Sequence, residues 1–80
     1  MRFDVALFLL RRFKSRAQAT RAVLDGLALL NGERTRPSHP LSPGDHVTLL
    51  GPEGSSTFEV IGLPTRSTSR QAARELVREV

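Results

Sequence analysis

Apolar residues recur at intervals of three and four near the start of the chain, at Phe3, Ala6, Leu7, Leu10 and Phe13. That spacing gathers them on one face of a helix, so residues 4–13 are predicted to form an amphipathic helix. Asp4 fits its N-cap or first turn, where the positive end of the helix favours a carboxylate. Arg11 falls on the face opposite Leu10. Phe8 also falls on that polar side, which the amphipathic pattern does not explain. Packing beneath another element, such as a C-terminal helix, is the expected reason, and contact with a partner is the alternative.

A second helix is predicted to begin at Ser15. In "SRAQ" the Ser15 hydroxyl can accept from the Gln18 amide while the Gln18 side chain reaches back, which is a capping box. Ala19, Ala22 and Val23 form the inner stripe, and their small size permits close approach to a neighbour. Asp25-Gly26 ends the helix, with Gly26 in the left-handed cap position. "LALLNGERT" then alternates around Asn31-Gly32, the favoured pair for a type I′ turn, and predicts a hairpin. "RPSHPLSPGD" is an irregular connection whose last four residues form a tight turn. "HVTLL" and "TFEVIGL" predict two further strands around a "GPEGSS" loop. Finally, "TSRQ" at 68–71 is a second capping box. Ala72, Ala73, Leu76, Val77 and Val80 form the stripe of a last helix, with Arg74, Glu75 and Arg78 outside. The predicted order is helix, helix, hairpin, loop, strand, strand, helix, an α+β fold.

Charge divides this order unevenly. Residues 1–36 carry eight Lys/Arg against three Asp/Glu, a net of +5; residues 37–63 carry three acids and no cation, a net of −3; residues 64–80 carry four Arg against two Glu, a net of +2. Five cations and no acid fall within residues 11–21, "RRFKSRAQATR". Like charges at that density repel unless a polyanion sits against them. Eleven of the twelve cations are arginine, whose planar fork suits phosphate and base edges better than an ammonium does.

Other chemistries find little footing. There is no cysteine, so neither disulfides nor a cysteine-based zinc site is expected. His39 and His46 lack metal-ligand spacing, no nucleophile motif frames a serine, and no glycine-rich phosphate loop occurs. Neither Tyr nor Trp is present, which disfavours a base-stacking sheet of the RRM kind. No apolar run approaches the ~20 residues of a membrane span. The chain reads as a cytoplasmic monomer without cofactor, metal or catalytic residues.

The ordered set "RFD" (2–4), "RRFKSRAQA" (11–19), "LDG" (24–26), "LLNGERTRPS" (29–38) and "SPGDHVTL" (42–49) resembles the RNA-binding domain named for small-subunit ribosomal protein four, the αL motif. The short form resembles its heat-shock-protein-fifteen-like branch, and within it the small members of bacterial ribosome-associated quality control. The chain departs from that branch at Val5, where lysine is usual, and at Ala6, where a bulky aromatic is frequent. The resemblance implies two N-terminal helices on a small, mostly antiparallel sheet of four to five strands, with residues 1–63 as the RNA-binding domain and 64–80 as a linker and amphipathic helix. It also implies a role on large ribosomal subunits that carry a peptidyl-tRNA after a stalled ribosome splits.

The residues place the binding groove as follows. Lys14, Ser15 and Arg16 surround the N-terminus of the second helix, where free amides and the dipole favour an anion. Arg11 and Arg12 reach the same groove from the first helix, and Arg2 joins it. Arg21 stands further along the second helix. Asn31 narrows the hairpin tip, and Arg34 and Arg36 project from one face of its second strand, two residues apart. The expected ligand is structured ribosomal RNA, with tRNA as a further candidate, read through phosphates and shape. Arg66, Arg70, Arg74 and Arg78 are expected on a solvated helix face, paired with Glu75 and Glu79. The rival readings are a DNA-binding module, a protein-interaction module with a basic face, and a targeting fragment of a modifying enzyme.

Overall fold

The computed structural model describes residues 1–80. The elements run α1 (Phe3–Leu9), α2 (Arg16–Leu24), β1 (Ala28–Leu30), β2 (His46–Gly51), β3 (Gly54–Val60), α3 (Arg70–Glu75) and β4 (Val77–Glu79). The four strands form one antiparallel sheet in the order β1-β2-β3-β4. This is the α+β architecture expected, with three helices and a four-stranded sheet. No helix is long and apolar enough to cross a membrane.

Strand alternation decides which face of the sheet the helices cover. Val47 and Phe58 are cross-strand partners, and both are buried with Val60. They join Phe3, Ala6 and Leu7 of α1, Leu10 at its C-cap, and Ala19, Ala22 and Val23 of α2 in one apolar cluster. The opposite face is mixed, with Thr48, Thr57 and Glu59 beside Leu29 and the exposed Leu50. Thr48 faces Thr57 with their hydroxyls 2.9 Å apart, and Arg78 of β4 pairs with Glu59 of β3. The alanines on α2 let the two N-terminal helices sit close together, as their size implied.

Helix α1 is shorter than its apolar period. It ends at Leu9, because Arg11 adopts a left-handed backbone with φ 67°. The Arg11 amide then donates to the Phe8 carbonyl and the Arg12 amide to that of Leu7, at 2.9 and 3.1 Å, which closes a Schellman motif. Glycine would normally occupy that position, since the conformation costs an L-residue about 1–2 kcal/mol. The same motif ends α2, where Gly26 takes φ 74° and the Leu27 amide donates to Ala22. At its other end α1 is capped by the proline-rich connection. Phe3 donates to the His39 carbonyl at 2.8 Å and Asp4 to that of Pro37 at 3.2 Å.

That capping explains the first correction. Asn31 and Gly32, at φ 52° and 82°, form the expected turn, but the hairpin stops after one bridge from Leu30 to Glu33. The chain must leave the sheet there to reach the start of α1, so residues 34–36 form no strand and Arg34 and Arg36 do not share a strand face. β1 pairs instead with β2, Leu29 opposite Thr48. A second correction concerns "GPEGSS". Gly51 faces Gly54 across a two-residue turn, and Ser55 and Ser56 continue β3 rather than forming a loop.

The third correction is at the C-terminus. Ser69, not Thr68, caps α3 by accepting from the Ala72 amide, and the helix ends at Glu75. Val77–Glu79 then pairs with β3, Val77 opposite Val60. Without this strand the outer edge of β3 would leave its backbone groups unpaired beside the core. The helical stripe through Leu76, Val77 and Val80 is thus cut after its first turn and a half. Arg78 and Glu79 pair with Glu59 and Arg12 rather than along a helix.

Candidate nucleic-acid interface

Asp4 organises the α1–α2 contact. It is 1% exposed, and its carboxylate accepts from Arg2 Nε at 2.7 Å and Arg2 Nη2 at 2.9 Å, a fork on both oxygens. The Thr20 hydroxyl of α2 donates to it at 2.7 Å and the Val5 amide at 2.8 Å. Burial pushes the Asp4 carboxyl up, but the bonds from Arg2, Thr20 and Val5 and the Arg2 charge outweigh it, and the group lies below the usual carboxylate range. Asp4 thus orients an arginine, and Arg2 is held beside α2. Thr20 completes this arrangement without any signal in the sequence beyond a polar residue on the inner half of a small-residue stripe.

The start of α2 is built as its capping box predicts, with one change. The Ser15 hydroxyl accepts from the Gln18 amide at 3.1 Å, while Gln18 Oε1 accepts from the Lys14 amide, one residue further back than expected. The amides of Arg16 and Ala17 have no intramolecular partner. Lys14 and Arg16 flank that open end, and neither forms an ion pair. Arg16, Thr20, Arg21 and Leu24 line one shallow surface groove along α2. Arg21 in that groove makes a loose pair with Asp25, 3.4 Å apart with both side chains largely exposed.

Arg34 sits at the C-terminal end of α2. Its Nη2 donates to the Leu24 carbonyl at 2.9 Å, so a cation sits at the negative end of the α2 dipole. Its stem lies against Gly26, where an added Cβ would come within 2.9 Å of Arg34 Nε. Gly26→Ala is therefore expected to cost about 2 kcal/mol, combining left-handed strain with displacement of Arg34. Gly32→Ala meets nothing within 4 Å and is expected to cost only the ~1 kcal/mol of strain. Urea denaturation of the two variants checks the difference.

The remaining expected residues are dispersed. Arg36 is exposed and unpaired beside the connection that caps α1. Asn31 is occupied internally, donating to Asp45 at 3.2 Å and accepting from the His46 amide at 2.9 Å. Arg11 and Arg12 turn away from the α2 groove toward the C-terminal segment. Arg11 donates to the Thr68 carbonyl at 3.0 Å. Arg12 lies 4.2 Å above the Phe58 ring and donates to Glu79 at 2.9 Å. Arg2, Arg16, Arg21 and Arg34 thus border α2, Lys14 stands at its open end, and Arg11 and Arg12 belong to a second concavity.

That second concavity combines Arg11, Arg12 and Lys14, expected at the α2 groove, with residues that sequence reasoning missed. Phe8, Leu10, Arg11, Arg12, Phe13 and Lys14 form one wall, and Arg70, Ala73, Arg74, Val77 and Glu79 the other. Phe8 is half-buried against the apolar cluster and faces α3 across this cleft. Arg70 and Arg74 are not on an isolated face with acidic partners, and neither forms an ion pair.

Residues 1–47 match the family model of the S4 domain. Heat shock protein 15 of Vibrio cholerae, whose solved structure is described as trimeric, superposes with a TM-score of 0.92 at 28% sequence identity; the match covers 100% of this chain and 81% of that one. Comparison with the sequences of curated proteins gives no significant match. The sequence match runs from the Arg2–Asp4 fork to the start of β2, and the structural likeness continues through α3 and β4, so the chain belongs to the S4 RNA-binding domain family, in its heat-shock-protein-15-like branch.

Proposed function

We propose that this protein is a non-catalytic, cytoplasmic RNA-binding factor of the large ribosomal subunit. It engages structured ribosomal RNA, with tRNA as a second contact, during rescue or quality control of subunits left with a peptidyl-tRNA. The observation that carries the reading is the open N-terminus of α2. Two unpaired cations, Lys14 and Arg16, stand beside two unpartnered amides and the Ser15 cap. A phosphate seated there meets both amides and both charges. Arg2 and Arg34, held by Asp4 and by the Leu24 carbonyl, present their remaining N–H groups along the same helix, and Arg21 and Arg36 extend the field. Arg11, Arg12 and Asn31 support this surface chiefly through their internal bonds.

Fixed cations along a helix read backbone and shape rather than base sequence, which suits double-helical RNA. The proposed binding unit is the monomer. Sedimentation of the tagged protein from cells tests the reading. It is expected with free large subunits and released by salt; migration with small subunits, or at the top of the gradient in low salt, would remove the ribosomal role. A gel-shift comparison at matched salt is expected to favour structured RNA over duplex DNA.

A further inference from the structure

We infer that the cleft between the α1–α2 corner and the α3–β4 segment is a second binding site, for a nucleotide whose base is free of pairing. Its volume of about 830 Å³ is ample for one base and its sugar phosphate. Two properties of its lining select that occupant. The floor is apolar and partly aromatic, with half-buried Phe8 and Phe13 beside Leu10, Ala73 and Val77. The rim is cationic, with Arg11, Arg12, Lys14, Arg70 and Arg74 against a single acid, Glu79.

That acid is already matched to Arg12 at 2.9 Å, and Arg11 is engaged by the Thr68 carbonyl. Lys14, Arg70 and Arg74 have no ion-pair partner. Arg70 and Arg74 are one turn apart on α3, so their side chains stand on the same side of that helix. The occupant must therefore combine a flat apolar body with negative charge outside it. A purely apolar ligand would leave the cations unanswered, and a bare anion would leave the phenyl rings unused. A nucleotide meets both requirements, its base against phenyl and guanidinium groups and its phosphate at the rim.

The site lies outside the α2 groove and shares only Lys14 with it. A bulged or flipped nucleotide of the same RNA can reach it while the paired stem lies along α2; this part of the inference rests on the RNA-binding reading above. The chemistry would be the same for a free mononucleotide.

The test uses the full chain and two RNA hairpins, one fully paired and one with a single 2-aminopurine bulge. Wild-type protein is expected to bind the bulged hairpin about tenfold more tightly, with a change in 2-aminopurine emission as the base stacks. The double variant R70Q/R74Q alters two exposed side chains and is expected to abolish that preference while leaving affinity for the paired hairpin unchanged. In a parallel arm, adenosine monophosphate is titrated while the ring proton resonances of Phe8 and Phe13 are followed. Saturable shifts that R70Q/R74Q removes, without any bulge preference, assign the cleft to a free nucleotide. No bulge preference together with no ring shifts overturns the inference, as does an equal loss of affinity for both hairpins in R70Q/R74Q. Failure of the paired hairpin to bind would instead count against the α2 groove, and the nucleotide titration would still decide the cleft.

Discussion

Asp4→Asn lowers stability at neutral pH by roughly 2–4 kcal/mol, the largest effect expected of any single substitution here. The carboxylate is 1% exposed and accepts four hydrogen bonds, two from Arg2 and one each from Thr20 and Val5. An amide of the same shape has one acceptor oxygen and turns an NH2 toward donors. It leaves Arg2 without its counter-charge and unhooks α2 from α1 at Thr20. For a domain of this size the loss corresponds to a fall in Tm of roughly 10–25 °C, read by thermal unfolding. The effect depends on pH in a fixed direction. Because the folded carboxyl titrates below its unfolded value of about 3.9, the stabilisation is complete above that value. It is lost as pH falls through the lowered folded value, while Arg2 stays charged throughout. The wild-type and Asp4→Asn unfolding curves should therefore separate at pH 7 and converge in strong acid. A constant gap down to pH 2 would show that the charge is not what matters.

Lys14→Gln with Arg16→Gln weakens binding to structured RNA by roughly 30–100-fold at 0.1 M salt, without unfolding the domain. Both side chains are exposed and unpaired, and the Ser15 cap is left in place. If the wild-type groove neutralises about four phosphates, log K falls against log salt with a slope near −3, and removing two cations should bring it to about −1.5. Fluorescence anisotropy across a salt series measures both quantities. An affinity within a few-fold of wild type, with the slope unchanged, would put the RNA elsewhere on the molecule. Arg34→Gln is a useful contrast, because it also releases the Leu24 carbonyl and loosens the end of α2. Its loss of affinity should therefore be accompanied by a loss of stability.

Much of the local structure was legible because its causes are local. Ser15, Gln18, Gly26 and the Asn31-Gly32 turn act within a few residues of chain, and each sits where its own backbone preference predicts. The α2 stripe of Ala19, Ala22 and Val23 was legible for the same reason, since helical period places it before any partner is known. The apolar period was less reliable wherever a distant element competed for the backbone. It runs on through Leu10 and Phe13, yet α1 ends at Leu9, because an arginine takes the left-handed position that sequence reading reserves for glycine. It runs through Leu76, Val77 and Val80, yet the exposed edge of β3 draws Val77–Glu79 into the sheet.

The candidate interface divides along the same line. The anion site proposed at the α2 N-terminus rests on a capping serine between two cations, three adjacent residues that are visible in the sequence. The roles of Arg11, Arg12, Arg70 and Arg74 do not follow from neighbouring residues. Arg11 and Arg12 belong to the densest run of positive charge, but they hold the C-terminal segment through Thr68 and Glu79, which lie 57 and 67 residues away. Arg70 and Arg74 belong to what reads as an ordinary solvated helix, but that helix forms one wall of the cleft that Phe8 and Phe13 also line.

From the sequence alone come the class of fold, the sign of the charge and the placement of Lys14 and Arg16 around a helix cap, which rest on composition and short-range spacing. Only the tertiary structure decided which cations are free and which are tied. That depends on carboxylates and carbonyls brought close by folding, and chain separation carries no trace of them.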